Sequence, residues 1–231
     1  LVPGNNAFPI HPTLNRSLTP REAARIQSFP DNHIFKGTRR KQCILIGNAV
    51  PPLFAAHIAK KINFHIKKEI EKPKEADLYL KKNNVRHFKI KRNSKIKEYN
   101  FVDLFSGAGG ISIGLKNAGF SPLLSCDSDK YVNETHKNNY PNLNFLHGDI
   151  SLKNNKERIY SLLKDKKITL LAGGPPCQGF SIFGNRRFVN TKKYDPSSDP
   201  RNKLVFTFLD YIRLLKPNWV LMENVAGFAN L

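Results

Sequence analysis

The stretch "FVDLFSGAGGISIG", residues 101–114, decides the fold of this 231-residue chain. An apolar strand runs into Gly107, Gly109 and Gly110, which allow the backbone to turn tightly and to approach a ligand, and a helical pattern follows. The spacing G-x-G-G lacks the G-x-G-x-x-G pattern that binds a dinucleotide pyrophosphate. The stretch therefore predicts either a site for another nucleotide-type cofactor or simply a tight turn between a strand and a helix.

Apolar segments alternate with helical patterns throughout residues 99–231. The predicted strands are "NFVDLF", "SPLLSC", "LNFLHGD", "ITLLAGG" and "NWVLMEN". The predicted helices are "GISIGLKNAG", "YVNETHKNN", "KERIYSLLKD" and "LVFTFLDYIRLLK". This alternation predicts an α/β fold with a doubly wound, mostly parallel sheet and with ligands at the carboxyl ends of the strands.

Two aspartates end the second and third predicted strands. Asp127 lies about 20 residues after the glycine turn, where a carboxylate can accept hydrogen bonds from a ribose diol. Asp149 can accept a hydrogen bond from an adenine amino group. Each is also a residue type typical of a helix N-cap or a turn. Together, at successive strand ends, they favour a ligand that contains adenosine.

Cys177 lies in "GGPPCQGFS", residues 173–181, directly after the fourth predicted strand. Pro175 and Pro176 fix the backbone and, because they lack N–H groups, end strand pairing. The thiol is either a nucleophile that acts as its thiolate or a small buried apolar side chain. Glu223 ends the last strand and would lie near Cys177 if the two strands are neighbours. Its carboxyl can share a proton with a substrate ring nitrogen or cap the following helix.

Residues 1–66 predict helices that pack on a neighbouring core. "SLTPREAARIQSFP" has a capping signature, with Thr19 as the cap, Pro20 at the first helical position and Glu22 three residues after the cap. The stretch Leu53–Ile66 predicts an amphipathic helix. Its apolar stripe consists of Phe54, Ile58, Ile62 and Ile66.

The chain is strongly basic, with 38 Lys plus Arg against 18 Asp plus Glu, a formal net charge of +20 and a pI near 10.0. This charge indicates a nucleic acid partner, although a lysine-rich proteome with ordinary solvated surfaces would give the same composition. Between Lys60 and Glu98 there are 14 Lys or Arg against 5 Asp or Glu. We interpret residues 67–98 as a solvated connector, with DNA phosphate contact as the alternative, and with a short ribbon around "RHFKIK".

The three cysteines are far apart and form no Cys/His cluster with zinc spacing. This spacing predicts a reducing compartment and no structural metal. No signal peptide or apolar run long enough to span a bilayer is apparent, so we expect a cytoplasmic protein without membrane contact.

Six segments in this chain resemble the sequence blocks of the DNA (cytosine-5)-methyltransferases. They are "DLFSGAGG" at 103–110, "GGPPCQGFS" at 173–181, "DPRNKL" at 199–204, "ENV" at 223–225, "RSLTPREAARIQSFP" at 16–30 and "IGNAVPP" at 46–52. The last two blocks normally close the chain in that family. The resemblance therefore implies a circularly permuted, Rossmann-like methyltransferase fold in which residues 99–231 form the cofactor-binding and catalytic domain.

The resemblance implies S-adenosylmethionine as the methyl donor. The implied donor-binding residues are Phe105, Gly107, Gly109, Gly110, Asp127, Asp149, Ile150, Leu204, Asn48 and Ala49. It also implies that cytosine is flipped out of double-stranded DNA, that Cys177 attacks carbon 6 and that Glu223 acts at ring nitrogen 3 while carbon 5 is methylated. A restriction-modification system is the expected context. The alternatives are methylation of tRNA by the same chemistry and a non-catalytic remnant that binds DNA or a subunit.

Two features depart from the family pattern. Asp127 occupies the ribose position, where the family usually has Glu, and Ser128 follows it where a large apolar residue is common. The arginine-rich block and the target-recognition domain are absent from residues 1–231. We therefore expect a fragment, or one subunit of a split enzyme whose recognition domain is carried elsewhere, for example by a second chain.

Overall fold

The computed structural model describes residues 10–67, 99–176 and 203–224. The helices in these ranges are α1 (Pro20–Ile26), α2 (Arg39–Gly47), α3 (Pro52–Lys67), α4 (Gly110–Asn117), α5 (Lys130–Asn139), α6 (Lys153–Leu163) and α7 (Lys203–Leu215). The strands are β1 (Asn100–Leu104), β2 (Ser121–Asp127), β3 (Phe145–His147), β4 (Leu170–Gly173) and β5 (Trp219–Met222). The connector at residues 68–98, with its predicted ribbon, lies outside the described residues.

The five strands form one parallel sheet in the order β3-β2-β1-β4-β5. All five predicted strands and the α/β class are confirmed. The chain proceeds from β1 outward to β3 and then crosses back to β4, so the direction of winding reverses between β1 and β4. In such sheets the crevice at the carboxyl ends of the strands beside this reversal is the usual ligand site.

Helices cover both faces of the sheet. On one face, α6 and α7 bury the apolar side chains Val102, Leu104, Leu124, Leu171, Ile159, Phe208 and Tyr211. On the other face, α3 and α4 bury Phe101, Leu170, Ala172, Ala59, Ile111 and Leu115. Each large apolar side chain contributes about 1.5 to 3 kcal/mol when it is fully buried, so both layers hold the strand ends in place.

The capping signature of α1 is confirmed. The Thr19 hydroxyl accepts a hydrogen bond from the backbone N–H of Glu22 at 3.2 Å, and the Glu22 carboxylate accepts one from the backbone N–H of Thr19 at 2.8 Å. Pro20 begins the helix. These reciprocal bonds satisfy two backbone donors that the helix itself cannot satisfy.

Helix α3 packs along α4, as predicted, but not with the whole predicted stripe. Ile62 and Ile66 pack on the core, whereas Phe54 is 58% exposed. The contact surface instead begins at the small residue Ala55, which meets Gly114 so closely that an added Cβ on Gly114 would lie 2.4 Å from the Ala55 Cβ. A contact this close leaves room for small side chains only. The predicted stripe placed Phe54 on the buried side of α3, and this was wrong, because Phe54 lies on the exposed side.

One segment among the described residues, Arg39–Ile66, contains an 18-residue window with a mean hydropathy of 1.3, which is long and apolar enough to cross a membrane by length and composition. This differs from the expectation that no apolar run is long enough to span a bilayer. In the fold it comprises α2 and α3, which are separated by residues 48–51. The packing of α3 on α4 and of α2 on a core cluster around Ala24 accounts for its apolar character.

Candidate cofactor and catalytic site

A cavity of about 520 Å³ lies at the carboxyl ends of the strands, within the size range of small-molecule sites. The predicted site residues that line it are Asn48, Phe105, Gly107, Asp127, Asp149, Ile150, Leu204 and Glu223. These residues come from α2, from the ends of β1, β2, β3 and β5, and from α7. The topology therefore brings together eight of the twelve predicted residues, and Cys177 lies outside the described residues.

The remaining three predicted residues do not line the cavity. Gly110 begins α4 against the N-terminal segment, where an added Cβ would lie only 2.0 Å from the carbonyl oxygen of Val50. Gly109 has a φ of +87°, and a Cβ added to it would lie 3.4 Å from the ring of His136. Ala49 packs on a core cluster that α1 and α2 form with the glycine turn. These three positions serve close packing beside the site.

The glycine turn leaves β1 through three residues with positive φ, namely Phe105 at +59°, Gly107 at +51° and Gly109 at +87°. Such values are uncommon for Phe105, which carries a Cβ, and indicate a conformation held by its surroundings. The backbone N–H of Ser106 donates to the carbonyl of Cys126 at 3.0 Å, which ties the start of the turn to the end of β2. Phe105 and Gly107 thereby reach the cavity wall.

Asp127 forms hydrogen bonds within the turn and also lies at the cavity wall. One carboxylate oxygen accepts a hydrogen bond from the backbone N–H of Gly107 and the other from that of Asp129, each at 2.9 Å, so the residue forms the turn. It also lines the cavity, where each oxygen retains a lone pair for a ligand hydroxyl. Burial raises the pKa of this carboxyl, and the two backbone hydrogen bonds oppose that shift.

The loop after β3 supplies a second carboxylate. Asp149 is exposed at the cavity and accepts a hydrogen bond from the backbone N–H of Ser151 at 2.8 Å, so it also combines a turn role with a lining role. The next residue, Ile150, is buried, and its carbonyl accepts a hydrogen bond from the hydroxyl of Tyr211 at 2.9 Å. Tyr211, which the sequence did not single out, thus fixes this side of the cavity from α7.

Glu223 follows β5, which pairs directly with β4, so the predicted neighbourhood of these two strand ends is confirmed. Its backbone N–H donates to the carbonyl of Gly173 at 3.0 Å. A Cβ added to Gly174 would lie 2.9 Å from the Glu223 Oε2, so the carboxyl stands beside the backbone that leads through Pro175 to residue 177. Partial desolvation raises the pKa of the Glu223 carboxyl, although the residue as a whole remains accessible to solvent.

A buried carboxyl lies next to the turn. Asp103 on β1 is fully buried and accepts a hydrogen bond from the hydroxyl of Ser112 at 2.6 Å, while its second oxygen has no partner among the described residues. Burial, with a smaller contribution from Asp127, raises its pKa to about 7. The Asp103 carboxyl therefore holds its proton far more strongly than an exposed aspartate does.

Helix α2 contributes cavity residues that the sequence did not reveal. Ile44 and Leu45 line the cavity, and Lys41 forms an ion pair with Asp129 at 2.6 Å. The preceding "RRKQ" is polar on all sides, so no helical stripe marks this segment. The N-terminal segment thus forms one wall of the cavity.

Most of this chain matches one known protein family in sequence. The sequence model of the family described as C-5 cytosine-specific DNA methylase matches residues 1–63 and 99–231. Type II methyltransferase M1.HphI of Haemophilus parahaemolyticus is 37% identical over 128 residues, which are 54% of this chain and 32% of that protein. Type II methyltransferase M.AquIA of Picosynechococcus is 36% identical over 134 residues, or 58% of this chain and 51% of that protein.

Among solved structures, a protein described as a DNA modification methyltransferase encoded within an Escherichia coli prophage is 36% identical, with a TM-score of 0.46. The match covers 57% of this chain and 33% of that one. The chain thus spans about a third of the length of M1.HphI and about half of that of M.AquIA.

Proposed function

Because the chain belongs to the family of C-5 cytosine-specific DNA methylases, we propose that it is the donor-binding and catalytic part of a DNA cytosine-5 methyltransferase. One observation carries this proposal. The glycine turn, two strand-end carboxylates and Glu223 line a single cavity at the carboxyl edge of the sheet. A site that merely closed a strand-to-helix turn would not need these groups around a common space.

The donor S-adenosylmethionine supplies the methyl group when it is bound. The cavity suits a molecule that contains adenosine because both carboxylates and apolar side chains line it. Asp127 is available to ribose hydroxyls and Asp149 to an exocyclic amino group. Phe105, Ile150 and Leu204 offer apolar surface to a flat base. The shorter side chain of Asp127, compared with the family's usual Glu, is offset by its direct attachment to the turn through Gly107.

On this proposal, the chain's own residues activate a cytosine that has been extruded from the duplex, because the ring is inaccessible within the stack. Cys177 attacks carbon 6 as its thiolate. Glu223, whose raised pKa favours the protonated form, donates a hydrogen bond or a proton to ring nitrogen 3, which accepts the charge that the attack creates. Pro175 and Pro176 restrict the backbone between the end of β4 and Cys177.

We also propose that the chain is circularly permuted, because the blocks at residues 16–30 and 46–52 resemble those that normally close the chain in this family. The family matches residues 1–63 and 99–231 and leaves out residues 64–98, which include the whole proposed connector at 67–98. The N-terminal segment packs on the sheet through α3 and contributes to the cavity through α2. We further propose double-stranded DNA as the substrate, a second chain as the carrier of the recognition domain, restriction-modification as the context and the cytoplasm as the location. The net charge of +20 predicts DNA affinity that falls steeply with salt.

The test uses a duplex that contains 5-fluorocytosine, which traps the covalent adduct because the fluorine at carbon 5 cannot leave as a proton does. The chain is incubated with S-adenosylmethionine and this duplex, alone and with the products of adjacent reading frames. We expect a denaturant-resistant protein–DNA adduct that is lost in Cys177→Ser. Cys43→Ser, at a buried thiol in α2, is the matched control and should retain the adduct. An adduct that persists in Cys177→Ser, or none in any combination, would overturn the proposal.

A further inference from the structure

Two buried histidines contact successive carbonyl groups of the glycine turn. Nε2 of His136, on α5, lies 3.1 Å from the carbonyl oxygen of Gly107. Nε2 of His33, between α1 and α2, lies 3.1 Å from the carbonyl oxygen of Ala108. A carbonyl oxygen can only accept a hydrogen bond, so each ring must carry its hydrogen on Nε2 and donate it to the turn.

Both rings are sealed from solvent and neutral at physiological pH. His33 is 3% exposed and His136 is 1% exposed. Aromatic side chains surround them, with the Phe29 and Phe145 rings centred 5.2 Å and 4.7 Å from the rings of His33 and His136, respectively. Burial disfavours the imidazolium form and lowers the pKa of each ring to about 4. The protonation state and the tautomer of each ring are therefore fixed.

The histidine contacts add to the hydrogen bond within the turn, in which the N–H of Gly109 donates to the carbonyl of Ser106 at 2.9 Å. Glycine populates positive and negative φ with similar ease, so peptide groups on either side of Gly107 and Gly109 can reorient at little cost. Each peptide is planar and trans, so a fixed carbonyl also fixes the N–H of the same peptide. Hydrogen bonds to two consecutive carbonyls therefore hold two consecutive peptide planes, in addition to the Gly107 N–H that Asp127 holds.

We propose that His33 and His136 are positioning residues that keep the glycine turn in its ligand-binding conformation. The proposal rests on the proposed function, since the ligand in question is the methyl donor. It differs from a purely structural role, in which the rings would only fill space between α5 and the N-terminal segment. Since His33 belongs to residues 1–66, donor affinity then depends on a side chain from the N-terminal segment that does not itself line the cavity.

The experiment measures S-adenosylhomocysteine binding by isothermal titration calorimetry, together with thermal unfolding, for the unaltered chain and for paired variants at each histidine. The Leu variants remove the side-chain N–H that donates the hydrogen bond. The Gln variants restore an N–H close to the position of Nε2. The Asn variants carry the same amide nearer to the position of Nδ1. Phe145→Leu is the matched control, because this side chain packs on the His136 ring and carries no group that can donate a hydrogen bond to the turn carbonyls.

We expect the Leu and Asn variants to bind about tenfold more weakly, as for the loss of one buried hydrogen bond, and the Gln variants to bind within about threefold of the unaltered chain. Phe145→Leu should lower the unfolding temperature without weakening binding. The inference would be overturned if all variants bound S-adenosylhomocysteine with equal affinity. It would also be overturned if Phe145→Leu lost as much affinity as the His→Leu variants when both had lost the same stability. A Leu variant that does not fold leaves the comparison of Gln with Asn to decide.

The histidine tautomers provide a readout that needs no ligand. In long-range proton–nitrogen NMR spectra of the unaltered chain, both rings should show the neutral form with hydrogen on Nε2. An Nδ1–H tautomer at either ring would refute the geometry. If the unaltered chain fails to bind S-adenosylhomocysteine, the proposed function fails, and the tautomer spectra then decide the histidine contacts separately.

Discussion

A close contact between α3 of the N-terminal segment and α4 of the catalytic core predicts the effect of one methyl group. In Gly114→Ala, the new Cβ would lie 2.4 Å from the Cβ of Ala55 and 2.6 Å from the backbone nitrogen of Ala56. Two of the three nearest atoms belong to the backbone of α3, so no rotamer change can relieve the overlap. Helix α3 must move away from α4 by more than 1 Å, since carbon atoms normally approach to about 3.5 to 4.0 Å.

Two opposing terms set the magnitude. Replacing a glycine by alanine inside α4 favours the helix by about 1 kcal/mol. Overpacking of a filled core costs about 1 to 3 kcal/mol, and here the whole interface around Ala59 and Leu115 must loosen as α3 shifts. We therefore expect a cost above the usual range and a net destabilisation of about 3 kcal/mol. For a chain of this size, that corresponds to a fall in Tm of about 6 to 12 °C.

Thermal unfolding monitored by circular dichroism measures this change. Asn117→Ala is the matched control, because this exposed residue at the end of α4 also gains helix propensity. It should change stability by less than about 0.5 kcal/mol. A Gly114→Ala chain that is as stable as the original, or more stable, would refute the reasoning, because α3 could then not be docked on α4 as the structure has it.

Three further predictions concern carboxyl groups. Asp103→Asn should gain stability relative to the original chain by up to about 4 kcal/mol as pH rises from 4 to 7, because the pKa of Asp103 is near 3.8 in the unfolded chain and about 7 in the folded one. Urea unfolding across that pH range measures the difference in unfolding free energy between the two chains. A difference that does not change with pH would contradict this prediction. Asp127→Asn removes the negative charge and places an NH2 donor against the N–H of either Gly107 or Asp129, so it should weaken S-adenosylhomocysteine binding about tenfold or more in calorimetry, whereas unchanged affinity would exclude this role. Glu223→Gln should slow methyl transfer about a hundredfold or more while leaving that affinity within about threefold, and transfer at the original rate would rule out proton donation by Glu223.

The sheet could be predicted because each strand has a local signature. Buried parallel strands are continuous apolar runs, and the runs at β1, β2 and β4 are bounded by glycine or aspartate. The end of a strand also fixes where its last polar side chain lies, so Asp127, Asp149 and Glu223 could be assigned to one edge without coordinates. The same reasoning placed Gly107 at the cavity.

Packing between distant segments could not be predicted in the same way. The side of α3 that packs on α4 is determined by the small size of Ala55 and Gly114. Small residues do not stand out in a pattern of large apolar side chains, so the exposed Phe54 was wrongly predicted to lie in the core. The roles of His33 and His136 depend on atoms 75 and 29 residues away in sequence, respectively. The sequence around a single histidine does not indicate which distant carbonyl group it contacts. These hydrogen bonds can therefore be identified only from the fold.

The cavity is built from both sides of the connector, and this has a thermodynamic consequence. Asn48 lines it from α2, and the ion pair from Lys41 to Asp129 joins α2 to the start of α5. A ligand that binds only the assembled cavity stabilises every contact that assembly requires, so donor binding and docking of residues 1–66 are linked and must strengthen each other. If the order of the chain is permuted, the connector does not divide the molecule into independent parts. It joins two incomplete halves of one site, and neither half retains the cavity alone.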